Sequence, residues 1–186
     1  MSIAAFTIKA QGALRTIYTD AGLSPTLFGL NASSIQPPVS GKLRAIWDTG
    51  ASGSVVNMKT AAKTGLQAIG YTPVETTNGK YSAPVYICDM YLPAGVVVPA
   101  VEMTGGQLGD NVDMLIGMDV ITLGDFSITN LGGDTWFTFR VPSMQRADYM
   151  AIQEPNENHR CPCGTTKKYK NCCQPLAKRS LAMAFT

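Results

Sequence analysis

The 186-residue sequence lacks most of what would send a chain to a membrane, a secretory route or a nucleotide. No apolar stretch is long enough to span a bilayer. Residues 1–17 hold no basic run ahead of an apolar one, and Lys9 and Arg15 interrupt them, so no targeting segment and a cytoplasmic location are expected. The glycines at 104–109 lack the Gly-Lys-Ser/Thr ending of a phosphate-binding loop and read as a loop only. Histidine is down to one residue, His159, and none is placed to activate Cys88, which reads as a small buried apolar residue. Acidic residues are missing altogether from His159 onward. That stretch carries Arg160, Lys167, Lys168, Lys170, Lys178 and Arg179, while the nine basic and thirteen acidic residues before it leave a net of −4. A basic end of this kind either meets an acidic partner or is a solvated surface.

Against those absences stand 45% apolar residues, enough for a real core, together with 18 glycines and 11 prolines scattered between short apolar runs. That texture predicts an all-β barrel or sandwich. Residues 6–8 and 14–18 read as an N-terminal hairpin, and 20–41 as a long Ser/Pro/Gly/Asn-rich loop. Residues 43–47 and 54–56 read as strands. Asn57 is placed to cap a helix over 58–64 that stops at Gly65. Strands at 73–77 and 81–91 flank Asn78-Gly79, a strong signal for a tight hairpin. Further strands are expected at 96–103, 113–116, 126–129 and 135–141, with a helical turn or two over 118–123. From 142 to 158 the apolar periodicity fades, which marks a linker.

The strand at 43–47 runs into Asp48-Thr49-Gly50-Ala51-Ser52. Alone this is also a plausible structural turn, because an Asp side chain caps such turns. Its chemistry is suggestive: two carboxyls held close share one proton, so together they can activate a water and protonate a leaving group. Context adds to it. The sequence resembles the retropepsin family at four places in the right order: Ile46–Ser52, the helix at 58–64 closed by Gly65-Leu66, Thr76-Thr77-Asn78-Gly79, and Leu115-Ile116-Gly117-Met118-Asp119-Val120-Ile121. The resemblance covers roughly residues 40–142. It implies a closed acid-protease barrel with one short helix or two, and Asp48 as the catalytic carboxylate. Thr49, Gly50 and Ala51 would support the active-site loop, and Gly117 would pass beneath it. Thr77, Asn78 and Gly79 would form the substrate flap. Two departures stand out: Met118 where retroviral enzymes usually have Arg, and a flap with one glycine. The sequence holds a single Asp-Thr-Gly, since Asp134-Thr135 is followed by Trp136. A dyad therefore requires a second copy about a two-fold axis.

Four of the five cysteines fall within thirteen residues: Cys161, Cys163, Cys172 and Cys173. In a reducing compartment such a cluster is read as a metal site before a disulfide framework. Four thiolates close a tetrahedral zinc site, which is structural, and a segment this small relies on the metal to fold. The alternative is a tail of unmetalled thiols. The run from Cys161 to Cys173, with Lys167-Lys168-Tyr169-Lys170 inside it, resembles the SEC-C motif, which implies bound Zn2+ and contact with a partner protein or ribosome.

The expected organisation is a retropepsin-like domain at 1–142, a linker at 143–158, a zinc module at 159–175 and a tail at 176–186. The expected function is an aspartic endopeptidase acting on peptide or protein substrates as a homodimer, with no membrane partner. The competing class is a non-catalytic retropepsin-like dimerisation scaffold with a zinc-dependent adaptor. A nucleic-acid-binding zinc protein rests on the basic tail alone.

Overall fold

The computed structural model describes residues 3–26, 42–76, 79–151 and 154–184. The chain is mostly β, with few helices. Strand β1 (Ala4–Ala10) belongs to a three-stranded sheet of order β1-β10-β9, where β9 is Asp125–Thr129 and β10 is Thr135–Val141. A seven-stranded sheet has the order β2-β3-β8-β4-β7-β6-β5. Its members are β2 (Tyr18–Pro25), β3 (Leu43–Trp47), β4 (Ser54–Asn57), β5 (Gly70–Thr76), β6 (Gly79–Tyr91), β7 (Val97–Gly106) and β8 (Met114–Ile116). An additional β2–β6 pairing closes six of these strands into a ring and leaves β5 as the outer arm of a hairpin.

The chain divides into two compact units. The first comprises residues 1–6, 16–126 and 139–143, and so contains the whole ring. Phe6, Trp47, Phe126 and Phe139 pack in it as tilted rings, with Trp47 4.7 Å from Phe139 and 5.8 Å from Phe126 between centroids. Trp47 also donates its indole N–H to Thr19 Oγ1 at 3.1 Å. The last residue before Asp48 is thus fixed by both packing and a hydrogen bond.

Helix α1 (Met58–Lys63) starts where expected, because Asn57 Oδ1 accepts from the Lys59 N–H at 3.1 Å. It ends at Gly65, whose φ of +73° suits glycine. Helix α2 (Met118–Ile121) follows β8 after one residue.

The N-terminal hairpin expected at 6–8 and 14–18 does not form. Residues 20–25, read from sequence as the start of a long loop, lie in β2, which pairs antiparallel with β3 on one edge and β6 on the other. The reason is tertiary. With a neighbour on each edge, the polar Thr19 and Ser24 become buried alongside the apolar Ala21 and Leu23.

The second unit comprises residues 7–15, 127–138 and 144–186. Thr135, fully buried, donates to Asn130 Oδ1 at 2.6 Å and accepts from the Leu14 N–H at 2.8 Å. Lys9 lies over the Trp136 ring at 4.0 Å. The segment read from sequence as a tail continues as helix α3 (Cys173–Ala184), which packs on the turn at Leu131–Gly133. There Ser180 Oγ accepts from the Gly132 N–H at 2.6 Å, and Leu176 lies 3.1 Å from where a Gly132 side chain would begin.

Candidate active site and cysteine cluster

Asp48 stands at the C-terminal end of β3, where the strand leaves the aromatic core. Its side chain is half-buried, and Thr49 and Gly50 are exposed. Three main-chain bonds set its position. The Asp48 N–H donates to Ile116 O at 2.9 Å, continuing the parallel β3–β8 pairing. The Ala51 N–H donates to Asp48 O at 3.2 Å, and the Met118 N–H donates to Ala51 O at 2.8 Å. Asp48 Oδ1 accepts from the Gly50 N–H at 2.9 Å, which turns the carboxylate back over its own loop.

Gly117 lies against this loop. A Cβ there would sit 2.6 Å from both C and O of Gly53 and 3.0 Å from Ala51 O. Those atoms are main chain, so only glycine fits. Two residues outside the sequence-predicted set complete the junction: Ser54 and Asp119. Ser54 N–H and Oγ donate to Asp119 Oδ2 and Oδ1 at 3.1 and 2.8 Å, and Ser54 Oγ accepts from the Gly117 N–H at 3.1 Å. An acidic residue in the first turn after Gly117 was the available signal for Asp119; its partner lies 65 residues away and carries none.

The β5–β6 hairpin pairs Thr76 with Gly79, whose φ is +117°. Thr77 and Asn78 of the expected flap lie outside the described residues. A cleft of about 500 Å³ is lined by Met58, Gly79, Lys80, Tyr81, Ser82, Pro84 and Gln107. Asp48 does not line it, so this cleft and the candidate catalytic carboxylate are separate features of this unit.

The sulfurs of Cys161, Cys163, Cys172 and Cys173 all lie within 4.8 Å of one another. Cys163 and Cys172 are 3.6 Å apart, Cys172 and Cys173 4.0 Å. Tetrahedral zinc with bonds of about 2.3 Å places its sulfurs about 3.8 Å apart, so the donor set fits that ion. Its scaffold is two short turns. Gly164, at φ +89°, donates its N–H to Cys161 O at 3.3 Å, and the Cys161 N–H donates to Lys167 O at 2.9 Å. Cys172 N–H donates to Tyr169 O at 3.0 Å, with Tyr169 buried beneath. Thr165 was missed from sequence: its hydroxyl lies 3.5 Å from Cys163 Sγ and 3.3 Å from Cys172 Sγ. Hydrogen bonding by the Thr165 hydroxyl and main chain lowers the Cys163 thiol to about 6. Cys88 is the opposite case. Fully buried on β6, its thiol is pushed up to about 12 by desolvation, beside Asp89.

No helix among the described residues is long and apolar enough to cross a membrane. The aspartyl protease family model matches residues 39–120, and the SEC-C motif model matches residues 158–175. No curated protein matches the chain. Similar solved structures include a retropepsin-like aspartic protease from Rickettsia conorii, at 19% identity over 75% of this chain and 96% of that one, with a TM-score of 0.48. A retroviral protease-like domain of Ddi1 from Leishmania major is 17% identical over 62% of this chain and 82% of that one, with a TM-score of 0.42. The Simian Foamy Virus (mac) protease is 17% identical over 54% of this chain and 87% of that one, with a TM-score of 0.37. By these matches, residues 39–120 are similar to the aspartyl protease family and residues 158–175 to the SEC-C motif.

Proposed function

We propose that the protein is an aspartic endopeptidase that becomes active as a homodimer, with Asp48 of each copy forming the catalytic pair. The observation that carries this reading is the Asp48 loop. A strand delivers an Asp-Thr-Gly carboxylate to the surface while main-chain bonds from β8 and α2 hold the loop from behind. One such loop per chain supplies half of a dyad. Water held between the two carboxyls attacks the peptide carbonyl. One carboxylate takes the water's proton, and the other, protonated, donates to the carbonyl oxygen; the leaving amine is then protonated from the pair.

In this reading Thr49, Gly50 and Ala51 shape the loop, and Gly117 gives it room. Thr77, Asn78 and Gly79 close over an extended substrate, which adds its backbone to the hairpin as a strand. By function, residues 1–142 form the protease domain, 143–158 a linker, 159–175 the zinc module and 176–186 a C-terminal extension. Zn2+ bound by Cys161, Cys163, Cys172 and Cys173 is structural, because four thiolates leave no open position for a substrate. The module recruits a protein or ribosomal partner, in the cytoplasm, where its thiols stay reduced.

The test is digestion of a diverse peptide pool by the full chain beside Asp48→Asn, which keeps the shape but removes the shared-proton chemistry. Cleavage by the wild type and none by the folded variant is the expected result. Equal cleavage by both would assign the activity elsewhere, and a folded dimer that cuts nothing would favour a scaffold.

A further inference from the structure

Ser54 opens β4 and is 1% exposed. A hydroxyl buried this far is costly unless it is hydrogen-bonded. The directions of its bonds follow from chemistry. A hydroxyl has one proton and a carboxylate has none to give, so the Ser54 proton goes to Asp119 Oδ1 and an oxygen lone pair is left for the Gly117 N–H. The result is a one-way chain, Gly117 N–H to Ser54 O–H to the Asp119 carboxylate, in which each bond polarises the next. Asp119 is locked in turn, because its second oxygen accepts from the Ser54 N–H.

What this chain grips is the turn between β8 and α2. Three consecutive residues there face the Asp48 loop: Ile116 O accepts from Asp48 N, Gly117 N donates to Ser54 Oγ, and Met118 N donates to Ala51 O. The outer two hold main chain to main chain. The middle one is held by a side chain, and so it is the one the sequence can tune.

We propose that Ser54 and Asp119 are positioning residues for Asp48. They fix the β8–α2 turn, and the turn fixes the loop that presents the carboxylate; they act through the loop and not on the substrate. The proposal rests on the aspartic peptidase reading.

The test uses the full-length protein as Ser54→Ala, Ser54→Thr, Asp119→Ala and Asp119→Asn. For each, kcat and KM are measured on one cleaved peptide, with amide exchange at Asp48 and Gly117. Because a displacement of a fraction of an ångström is enough to misplace a reacting group, both alanine variants should lose about tenfold or more in kcat with KM little changed. Ser54→Thr keeps the Oγ and should regain most of the lost kcat. Asp119→Asn should fall between, since its amide oxygen still accepts from the hydroxyl but its NH2 meets the Ser54 N–H donor to donor. Should the alanine variants not fold, Ser54→Thr and Asp119→Asn carry the same ordering.

A merely structural pair would lower the melting temperature and leave kcat per folded chain intact. That outcome overturns the proposal, as does a Ser54→Thr no better than Ser54→Ala. If the wild type cuts no peptide, it is the peptidase reading that fails, and exchange decides the clamp. Asp48 and Gly117 amides at least about tenfold faster in Ser54→Ala but not in Ser54→Thr support it, and unchanged exchange refutes it.

Discussion

Replacing Gly117 with alanine should damage the Asp48 loop more than any change of similar size nearby. The backbone is not the obstacle, because the φ of −92° is open to any residue. The obstacle is space. The new methyl would start 2.6 Å from Gly53 C and O, where ordinary contact begins near 3.4 Å, so something must move by about 0.8 Å. Neither side yields easily: the loop and the turn are joined by the Asp48–Ile116, Met118–Ala51 and Gly117–Ser54 bonds. Overpacking of this kind costs about 1–3 kcal/mol, and stretching one of those bonds beyond use adds roughly 1 kcal/mol. A loss of about 2–4 kcal/mol corresponds to a melting temperature lower by roughly 6–15 °C for a unit of this size. Displacing the carboxylate by that distance should also reduce kcat by about 10–100-fold. The matched control is Gly53→Ala. It faces the same contact from the other side, yet its methyl would meet nothing within 4 Å, so its stability should stay within about 0.5 kcal/mol of wild type. Thermal and urea melts of both variants, with peptide kinetics, decide the matter. Gly117→Ala melting and cutting like the wild type would refute the geometry on which the site is built.

If the active species is a homodimer, mixing wild type with a ninefold excess of Asp48→Asn chains should cut activity per wild-type chain about tenfold, because most wild-type chains then pair with a dead one. Activity untouched by the mixing would point to a self-sufficient chain. Replacing Cys161 and Cys163 together with serine should remove about one zinc per chain by metal analysis and speed exchange over residues 159–184. Retained stoichiometric zinc would move the site elsewhere. In metal-free protein the four clustered thiols should alkylate readily, whereas Cys88, buried and pushed up to about 12, should stay unreacted until the chain unfolds. Mass mapping of the modified cysteines at pH 7.5 reads both, and early labelling of Cys88 would contradict its burial.

What was legible in the sequence was what is local. The Asp48 loop, the Asn57 cap and the four-cysteine spacing each sit within a dozen or so residues and announce themselves by residue type. Gly117 was legible through its apolar neighbours Leu115 and Ile116. What was illegible depended on distant partners. β2 holds the turn-favouring residues Asp20, Gly22, Ser24 and Pro25 and is a strand because β3 and β6 flank it. Ser54 gains its role from an aspartate 65 positions later. Helix α3 was read only as the end of the zinc module and a tail; it starts at Cys173 with Pro175 in its first turn, where the missing N–H has no partner to lose.

Helix α3 also sets a rule of phase. It begins at Cys173, one of the four clustered thiols, and meets Gly132 through Leu176 and Ser180, three and seven residues on. Those offsets share one helical face. Each residue added or removed between the thiol and Leu176 would swing that face by about 100° and aim the seat away from the turn it covers. Grafting a different C-terminal module onto this chain therefore demands more than a matching set of thiols. The count of residues from the last thiol to the seat must be kept, or the graft will bind its ion and still find nowhere to sit.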